Sequence, residues 1–229
     1  MPNVLVGVIM LDTAFERLAG DIGNPAALPF ACRYEIVPDA TARRAVEGGA
    51  DGLVEPFATA GLELVRAGCD VITTSCGFLA CHQRALAAAL APATFISSAL
   101  LALPSLLATL PPDARIGVVT ANAAALGAAH LDGAGVPAGA RRRLVPIGLE
   151  HTAHLYPALM GDAPGPDPAV AEPEVVAAVT AAVASDPSIR ALVCECTNLP
   201  PYRSALTAAT GLPVIDIVTL LAARVAPEG

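Results

Sequence analysis

The chain has 229 residues, of which 55% are hydrophobic and 15% are charged, so it holds enough apolar material for a packed core and is not a disordered segment. Its net charge is −8 and all thirteen basic residues are arginine, which argues against nucleic-acid binding. Without lysine, no Schiff base can form to a carbonyl substrate or to pyridoxal phosphate.

Neither the start of the chain nor its apolar stretches predict export or membrane insertion. The segment Val4–Leu11 is apolar, but no cationic segment precedes it and Asp12 ends it. The stretch Ala85–Leu110 is interrupted by Pro92 and Pro104, which is unfavourable for a membrane span. We therefore expect a cytoplasmic protein with no membrane partner, in which the six cysteines stay reduced and serve chemistry or packing.

Short apolar runs alternate with helical patterns along the chain, which is typical of an α/β fold with a largely parallel sheet. The predicted strands are, in chain order, Val4–Leu11, Arg33–Val37, Val71–Thr74, Thr94–Ile96, Ile116–Thr120, Leu144–Ile147, Ala191–Cys194 and Val214–Ile215. The predicted helices are Val54–Ala67, Ala80–Leu90, Leu100–Leu110, Ala123–Ala134, Glu172–Ser185, Pro201–Thr210 and Val218–Val225.

Two segments rich in glycine and proline, Gly20–Pro29 and Gly161–Pro168, are predicted to be loops. The first directly follows the first strand, where α/β proteins place the loops of their sites. For this loop both a lid and a plain connector remain open.

The segments 70–101 and 190–221 resemble each other. Both predict a strand, a cysteine turn, a helix, a short strand and a helix, and Cys76 aligns with Cys196. A duplicated unit of this kind predicts two similar lobes related by a pseudo-twofold axis. Each lobe would place one cysteine just beyond the carboxyl end of a parallel strand, where open sheets bind ligands. We expect the two thiols to face each other across the cleft between the lobes.

Two thiols on opposite faces of one carbon can remove a proton from one side and return it to the other, as a racemase requires. A cysteine at the start of a helix has its pKa lowered toward neutrality, which favours the thiolate. Main-chain amides at these turns, with the hydroxyls of Thr74, Ser75 and Thr197 and the amide of Asn198, offer donors for a carboxylate and for an enolate-like intermediate. This chemistry needs neither a metal nor a cofactor.

Three motifs carry a family resemblance: VITTSCGF around Cys76, VCECTNLP around Cys196, and GVVTAN ending at Asn122. At these motifs the sequence resembles the aspartate/glutamate racemase superfamily, which includes glutamate, aspartate and hydantoin racemases, maleate isomerase and arylmalonate decarboxylase. The resemblance covers most of the chain. It implies two similar α/β lobes, residues 1–97 plus 212–229 and residues 98–211, with the site between them, and it allows a homodimer.

The resemblance implies that Cys76 and Cys196 are the catalytic cysteines of the two lobes. It implies substrate binding by the polar turns and the cysteine motifs, namely Asp12, Thr13, Ser75, Gly77, Phe78, Thr120, Asn122, Thr197 and Asn198. The chain also departs from glutamate racemases, which carry Asn-Thr in place of Gly77-Phe78 and His in place of Asn198. The lost polar groups argue against recognition of an amino acid, and Phe78 indicates a more apolar wall.

The sequence thus predicts a cofactor-independent isomerase, a racemase or epimerase acting on a small carboxylate such as an amino acid or a hydantoin. Two alternatives within the same superfamily are a cysteine-dependent decarboxylase and a maleate-type cis–trans isomerase. A non-catalytic small-molecule-binding protein is the alternative of another class.

Several further residues have two interpretations. Glu195 precedes Cys196 and either tunes its thiol or is an exposed or ion-paired carboxylate. Glu150, His151 and His154 follow a predicted strand and either approach the cleft or lie at a solvated helix start, which is favoured. The spacing of Cys194 and Cys196 does not match the common zinc pattern. Packing is the expected role of Cys32, Cys69, Cys81 and Cys194.

Overall fold

The structure is a computed structural model that describes residues 4–162 and 164–226. The described residues form two four-stranded sheets in which all paired strands are parallel. The strands of the first sheet are β1 (Leu5–Leu11), β2 (Ala31–Val37), β3 (Val71–Thr74) and β4 (Thr94–Ile96). Those of the second sheet are β5 (Arg115–Thr120), β6 (Leu144–Gly148), β7 (Ile189–Cys194) and β8 (Val214–Ile215).

The two sheets repeat one topology. Their strand orders are β2-β1-β3-β4 and β6-β5-β7-β8. The register repeats as well, because Ile9 pairs with Thr74 in the first sheet and Val119 pairs with Cys194 in the second. The predicted α/β fold with two similar lobes is therefore confirmed. Since β3 and β7 end at equivalent points, the two cysteine turns that follow them leave equivalent edges of the two sheets.

The described α-helices are α1 (Ala42–Val46), α2 (Val54–Arg66), α3 (Gln83–Ala89), α4 (Leu103–Thr109), α5 (Ala128–Gly133), α6 (Leu155–Met160), α7 (Pro168–Ser185), α8 (Arg203–Thr210) and α9 (Ile217–Val225). Three predicted helices begin with a 3-10 turn, at Gly77–His82, Ala99–Ala102 and Pro200–Tyr202. Prolines at or just after two of these turns remove amide donors and disfavour a regular start. The short helices α1 and α6 were not predicted, because five or six residues carry too little periodicity.

The end of the chain serves both lobes. Strand β8 pairs with β7 in the second sheet, whereas α9 buries Ile217, Val218 and Leu221 in one cluster with Val6 and Val8 of β1. The chain therefore returns to the first lobe immediately after β8. The residue ranges proposed for the two lobes stay a prediction.

Helix α7 is long and apolar enough, by length and composition, to cross a membrane. It packs against α8 and β6 and buries Ala171, Val175 and Val179, while Glu172 and Glu174 lie along it. Because α7 makes these contacts, its length and composition are only weak evidence for a membrane span. The cytoplasmic location and the absence of a membrane partner stay predictions.

Candidate active site

The two cysteine turns have the same local geometry. The amide of Leu79 donates to the carbonyl of Cys76 at 3.2 Å, and the amide of Leu199 donates to the carbonyl of Cys196 at 3.2 Å. Both cysteines are buried, with exposures of 7% each. The duplicated sequence thus folds into duplicated turns.

The two turns touch each other across the lobes. The hydroxyl of Thr197 donates to the carbonyl of Ser75 at 2.6 Å. On the other side, a Cβ added to Gly77 would overlap the carbonyl and carboxyl oxygens of Glu195. Glycine at position 77 is therefore needed for the two turns to approach.

Both thiols line one cavity between the lobes, with a volume of about 30 Å³. This volume holds about two water molecules, so the site is nearly closed. The sequence-predicted residues that line this cavity, called here the cysteine cavity, are Thr13, Ser75, Cys76, Gly77, Phe78, Cys196, Thr197 and Asn198.

Three other predicted residues lie close by but are not among the residues that line the cysteine cavity. Asp12 lines an adjacent outer cavity of about 360 Å³. Thr120 is buried and donates to a carboxyl oxygen of Glu195 at 2.7 Å. Asn122 donates to the hydroxyl of Tyr156 at 3.1 Å. The roles assigned to all the site residues stay predictions.

Sequence reasoning missed an ion pair that joins the cysteine cavity to the loop after β1. Arg17, which lines the cavity, contacts the carboxylate of Asp21 at 3.1 Å and donates to the hydroxyl of Thr13 at 3.1 Å. Asp21 also accepts from the side-chain amide of Asn198 at 2.6 Å, and the amide oxygen of Asn198 lies 3.8 Å from the sulfur of Cys196. The opposite charges four positions apart at the start of the loop 20–29 are the signal that could have indicated this pair.

The unpredicted helices α1 and α6 form the roof of the cysteine cavity. Ala42 and Val46 of α1 and Leu159 and Met160 of α6 line it. Ala42, Leu159 and Met160 also line the outer cavity. The roof therefore lies between the cysteine cavity and the outer cavity.

Burial dominates the electrostatics of the thiols. It raises the pKa of Cys76 to about 12, and the negative charge of Glu195 contributes to this rise. Burial also raises the pKa of Cys196 well above its ordinary value, again with a contribution from Glu195. The amides of Phe78 and Asn198 lower these pKa values by less. The expectation of thiols activated by helix starts is thus wrong, because short 3-10 turns cannot offset the desolvation of a thiolate.

Glu195 is fully buried rather than exposed or ion-paired. Burial raises the pKa of its carboxyl to about 8, while the hydrogen bond from Thr120 lowers it by less. The group is therefore mostly protonated at neutral pH.

The other polar residues considered from the sequence lie outside the cysteine cavity. Glu150 accepts from the amide of Ala123 at 3.2 Å, and His154 accepts from the amide of Asp167 at 2.8 Å. His151 is exposed. Within residues 4–162 and 164–226, no group of three or more His, Cys, Asp or Glu side chains is arranged to hold a metal ion.

Solved structures share this architecture. Unliganded arylmalonate decarboxylase aligns with a TM-score of 0.59 and 17% identity, over 99% of this chain and 94% of that one. Aspartate racemase from Picrophilus torridus aligns with a TM-score of 0.56 and 15% identity, over 97% and 92%. The chain has the fold of the aspartate/glutamate racemase superfamily. The resemblance drawn from the cysteine motifs is thereby confirmed at the level of the fold.

The curated relatives by sequence are lyases by name. Dimethylsulfoniopropionate lyase from Durusdinium sp. clade D is 29% identical over 225 residues, which span 95% of this chain and 73% of that protein. Dimethylsulfoniopropionate lyase 3 from Emiliania huxleyi (strain CCMP1516) is 31% identical over 93% of this chain and 57% of its own length. No family model matches this chain.

These relatives contradict the prediction of a racemase or epimerase, and with it the isomerase class. Racemases and a decarboxylase both occur among the structural neighbours, so the fold does not separate proton return from bond cleavage. Among the alternatives drawn from the sequence, the cysteine-dependent decarboxylase, which is itself a lyase, agrees better with the relatives.

Proposed function

We propose that this protein is a lyase that cleaves dimethylsulfoniopropionate into dimethyl sulfide and acrylate. The observation that carries the proposal is the similarity of 29–31% identity to dimethylsulfoniopropionate lyases over 93–95% of this chain. Two thiols in one cavity between the lobes are consistent with it, because an elimination needs a base beside the carbon next to the carboxylate.

The reaction balances with the chain's own residues. A thiolate takes a proton from the carbon next to the carboxylate, and the electron pair of that C–H bond forms the C=C bond of acrylate. The bond from the next carbon to sulfur breaks, and its electrons neutralise the sulfonium to give dimethyl sulfide. The thiol then returns its proton to solvent, so no oxidant, reductant or second substrate takes part.

Arg17 is suited to hold the carboxylate of this substrate. It is the one cationic side chain that lines the cysteine cavity within residues 4–162 and 164–226. Its guanidinium is oriented by Asp21 and Thr13, and an arginine fork matches the geometry of a carboxylate. A cation there also stabilises the negative charge that develops on the carboxylate as the proton leaves.

The remaining wall suits a dimethylsulfonium group. Phe15, Phe78, Leu159 and Met160 line the cysteine cavity and present apolar surface to methyl groups. An aromatic ring also attracts a cation with no strong hydration shell. The apolar wall expected from Phe78 thus agrees with this substrate.

Cys76 is the better candidate for the base. Burial raises the pKa of both thiols, but the positive charge of Arg17 lowers the pKa of Cys76, whereas the negative charge of Asp21 raises that of Cys196. A bound sulfonium would lower the pKa of a nearby thiol further. The charge of one thiolate also raises the pKa of the other, so the pair ionises one thiol at a time.

The test is an assay of the purified chain with dimethylsulfoniopropionate, in which headspace dimethyl sulfide and acrylate are measured together. We expect equal amounts of both products from the wild type. We expect Cys76→Ser to lower kcat by about 100-fold or more, the usual contribution of a general base. The matched control is Cys32→Ser, because Cys32 lies half-exposed on β2, and it should keep full activity.

Two results would contradict the proposal. One is a wild-type protein, shown to be folded by circular dichroism, that releases no dimethyl sulfide. The other is equal activity in the wild type, in Cys76→Ser and in Cys196→Ser, because the cleavage would then not use the cavity thiols.

A further inference from the structure

Glu195 occupies the place in the second lobe that Ser75 occupies in the first. The amide of Ser75 donates to Ile9 at 2.9 Å, and the amide of Glu195 donates to Val119 at 2.8 Å. Each residue immediately precedes a cysteine of the cavity. The duplication therefore places a carboxyl group where its counterpart has only a hydroxyl.

This carboxyl is enclosed between the two cysteine turns. One of its oxygens accepts the hydrogen bond from Thr120, and the other is buried with no hydrogen-bond partner in the described part of the chain. That oxygen lies against Gly77, on the turn of the opposite lobe. The hydroxyl of Ser98 is close to the same point of Gly77 and accepts from the amide of Leu100 at 3.2 Å.

An ionised carboxylate in this position would be costly. A buried oxygen without a donor leaves a negative charge unsatisfied, whereas a protonated carboxyl carries no net charge. A carboxylate in this position would also lie close to the thiols. Its negative charge therefore raises the pKa of both Cys76 and Cys196. A thiolate and this carboxylate therefore compete for one buried negative charge.

We infer that Glu195 is a positioning residue that must hold its own proton for a thiol of the cysteine cavity to ionise, so that its ionisation limits the amount of thiolate that forms as pH rises. The inference deepens the proposed lyase and rests on it for its effect on turnover. Glu195 also lines the cysteine cavity, but the role assigned to it here is its effect on the thiols.

The surroundings of Glu195 define which groups share this effect. Its neighbours that titrate are Cys76 on the opposite turn, and Cys194 and Cys196 on its own segment, and its charge contributes to the pKa of each. The charges of Arg17 and Asp21 act on the thiols. Thr120 of β5 and Ser98 do not titrate.

The experiment compares the pH dependence of two quantities in the wild type and in Glu195→Gln: kcat/KM, and the thiolate fraction from its ultraviolet absorbance. Glutamine keeps the shape and the acceptor for Thr120 but cannot ionise. We expect wild-type kcat/KM to rise with pH as the thiol ionises and to level off above about pH 8, where Glu195 loses its proton and a thiolate can form only if Glu195 takes a proton back. We expect kcat/KM of Glu195→Gln to keep rising above about pH 8, and we expect this variant to show about tenfold more thiolate at alkaline pH, because a like charge beside the thiol is gone.

Two further variants make the test specific. Glu172→Gln changes an exposed glutamate on α7 and should reproduce the wild-type profile. Thr120→Val removes the hydrogen bond that lowers the pKa of Glu195, so kcat/KM should level off at a higher pH than in the wild type. This second shift keeps the inference testable if Glu195→Gln does not fold.

Three outcomes would overturn the inference: a levelling of kcat/KM above about pH 8 that persists in Glu195→Gln, an unchanged thiolate fraction, or a folded Glu195→Gln that is inactive at every pH. The last would mean that the carboxyl itself moves the proton. If the wild type releases no dimethyl sulfide, the proposed lyase fails, but the thiolate measurement still decides the role of Glu195.

Discussion

The hydroxyl of Thr197, in the second lobe, donates a hydrogen bond of 2.6 Å to the main-chain carbonyl of Ser75, in the first lobe. Thr197 follows one cavity cysteine and Ser75 precedes the other. Thr197 is only 1% exposed, so water does not compete for this bond. The relative position of the two thiols therefore depends on a direct contact between their turns.

Replacing Thr197 with valine should weaken both the fold and the site. The change keeps the shape but leaves a buried carbonyl without its donor, which costs about 1–3 kcal/mol in the free energy of unfolding. We expect kcat/KM to fall about tenfold or more, since small displacements of a base are costly. Urea denaturation and the dimethyl sulfide assay measure the two effects. Thr197→Ser keeps the hydroxyl and is the control; equal losses in both variants would contradict the prediction.

Gly77→Ala should separate the two turns. The added methyl group would overlap the oxygens of Glu195, and both groups are buried, so neither can move aside cheaply. We expect a loss of about 1–3 kcal/mol in the free energy of unfolding together with a near-complete loss of activity. Gly139→Ala is the matched control, because an added methyl group there meets no atom within 4 Å. Full activity in Gly77→Ala would show that the contact is dispensable.

Arg17→Lys should impair binding of the substrate carboxylate more than turnover. Lysine keeps the positive charge beside Asp21 but cannot form two parallel hydrogen bonds. We expect KM for dimethylsulfoniopropionate to rise about tenfold, corresponding to the loss of about 1.4 kcal/mol in binding. Arg66→Lys, on the exposed end of α2, should leave KM unchanged. An unaltered KM in Arg17→Lys would exclude this residue as the carboxylate anchor.

The stability of the fold should depend on pH through Glu195. Burial raises the pKa of this carboxyl from 4.5 to about 8, so folding favours its protonated form. Its contribution is complete below pH 4.5 and is lost as pH rises toward 8. We expect this group to lower the free energy of unfolding by about 3 kcal/mol between acidic pH and neutrality. Denaturant titrations across this range should show the decline in the wild type and a flatter profile in Glu195→Gln; parallel profiles would refute it.

The roof of the cysteine cavity should open more readily in Tyr156→Phe. The hydroxyl of Tyr156 on α6 donates to Glu47 at 2.9 Å, just after α1, while Arg43 of α1 pairs with Asp162 at 2.5 Å. Losing one hydrogen bond of about 1 kcal/mol should raise the opening population about fivefold. The rate at which a small thiol reagent modifies Cys76, followed by mass spectrometry, measures this opening.

The control for this prediction is a tyrosine away from the roof. Tyr34 on β2 donates to the carbonyl of Ile22 at 3.2 Å, so Tyr34→Phe removes a hydrogen bond but leaves α1 and α6 joined. In Tyr34→Phe, the thiol reagent should modify Cys76 at the wild-type rate. A wild-type rate in Tyr156→Phe as well would mean that other contacts hold the roof closed.

The architecture and the pair of cysteines could be predicted because they are encoded by neighbouring residues and repeated. Apolar runs of strand length, a cysteine turn after β3 and β7, and the near-identical spacing of the two copies all appear in the linear sequence. The absence of lysine, which excludes Schiff-base chemistry, can also be read directly from the sequence. Such patterns can be recognised without knowing which distant segments come into contact, because they depend on periodicity and local turns.

The tertiary structure decided what surrounds the thiols. Arg17 and the helices α1 and α6, which line the cavity, come from segments that are not part of the cysteine motifs, and so does Asp21, which pairs with Arg17. The spacing of the cysteine motifs therefore did not predict them. The direction in which the thiol pKa values shift also depended on folding. Burial is a property of the packed chain, and it raises the pKa by more than the amides of the local turn lower it. We expect the choice between returning the proton and breaking a neighbouring bond to depend on these surroundings, because a thiol base can begin either reaction.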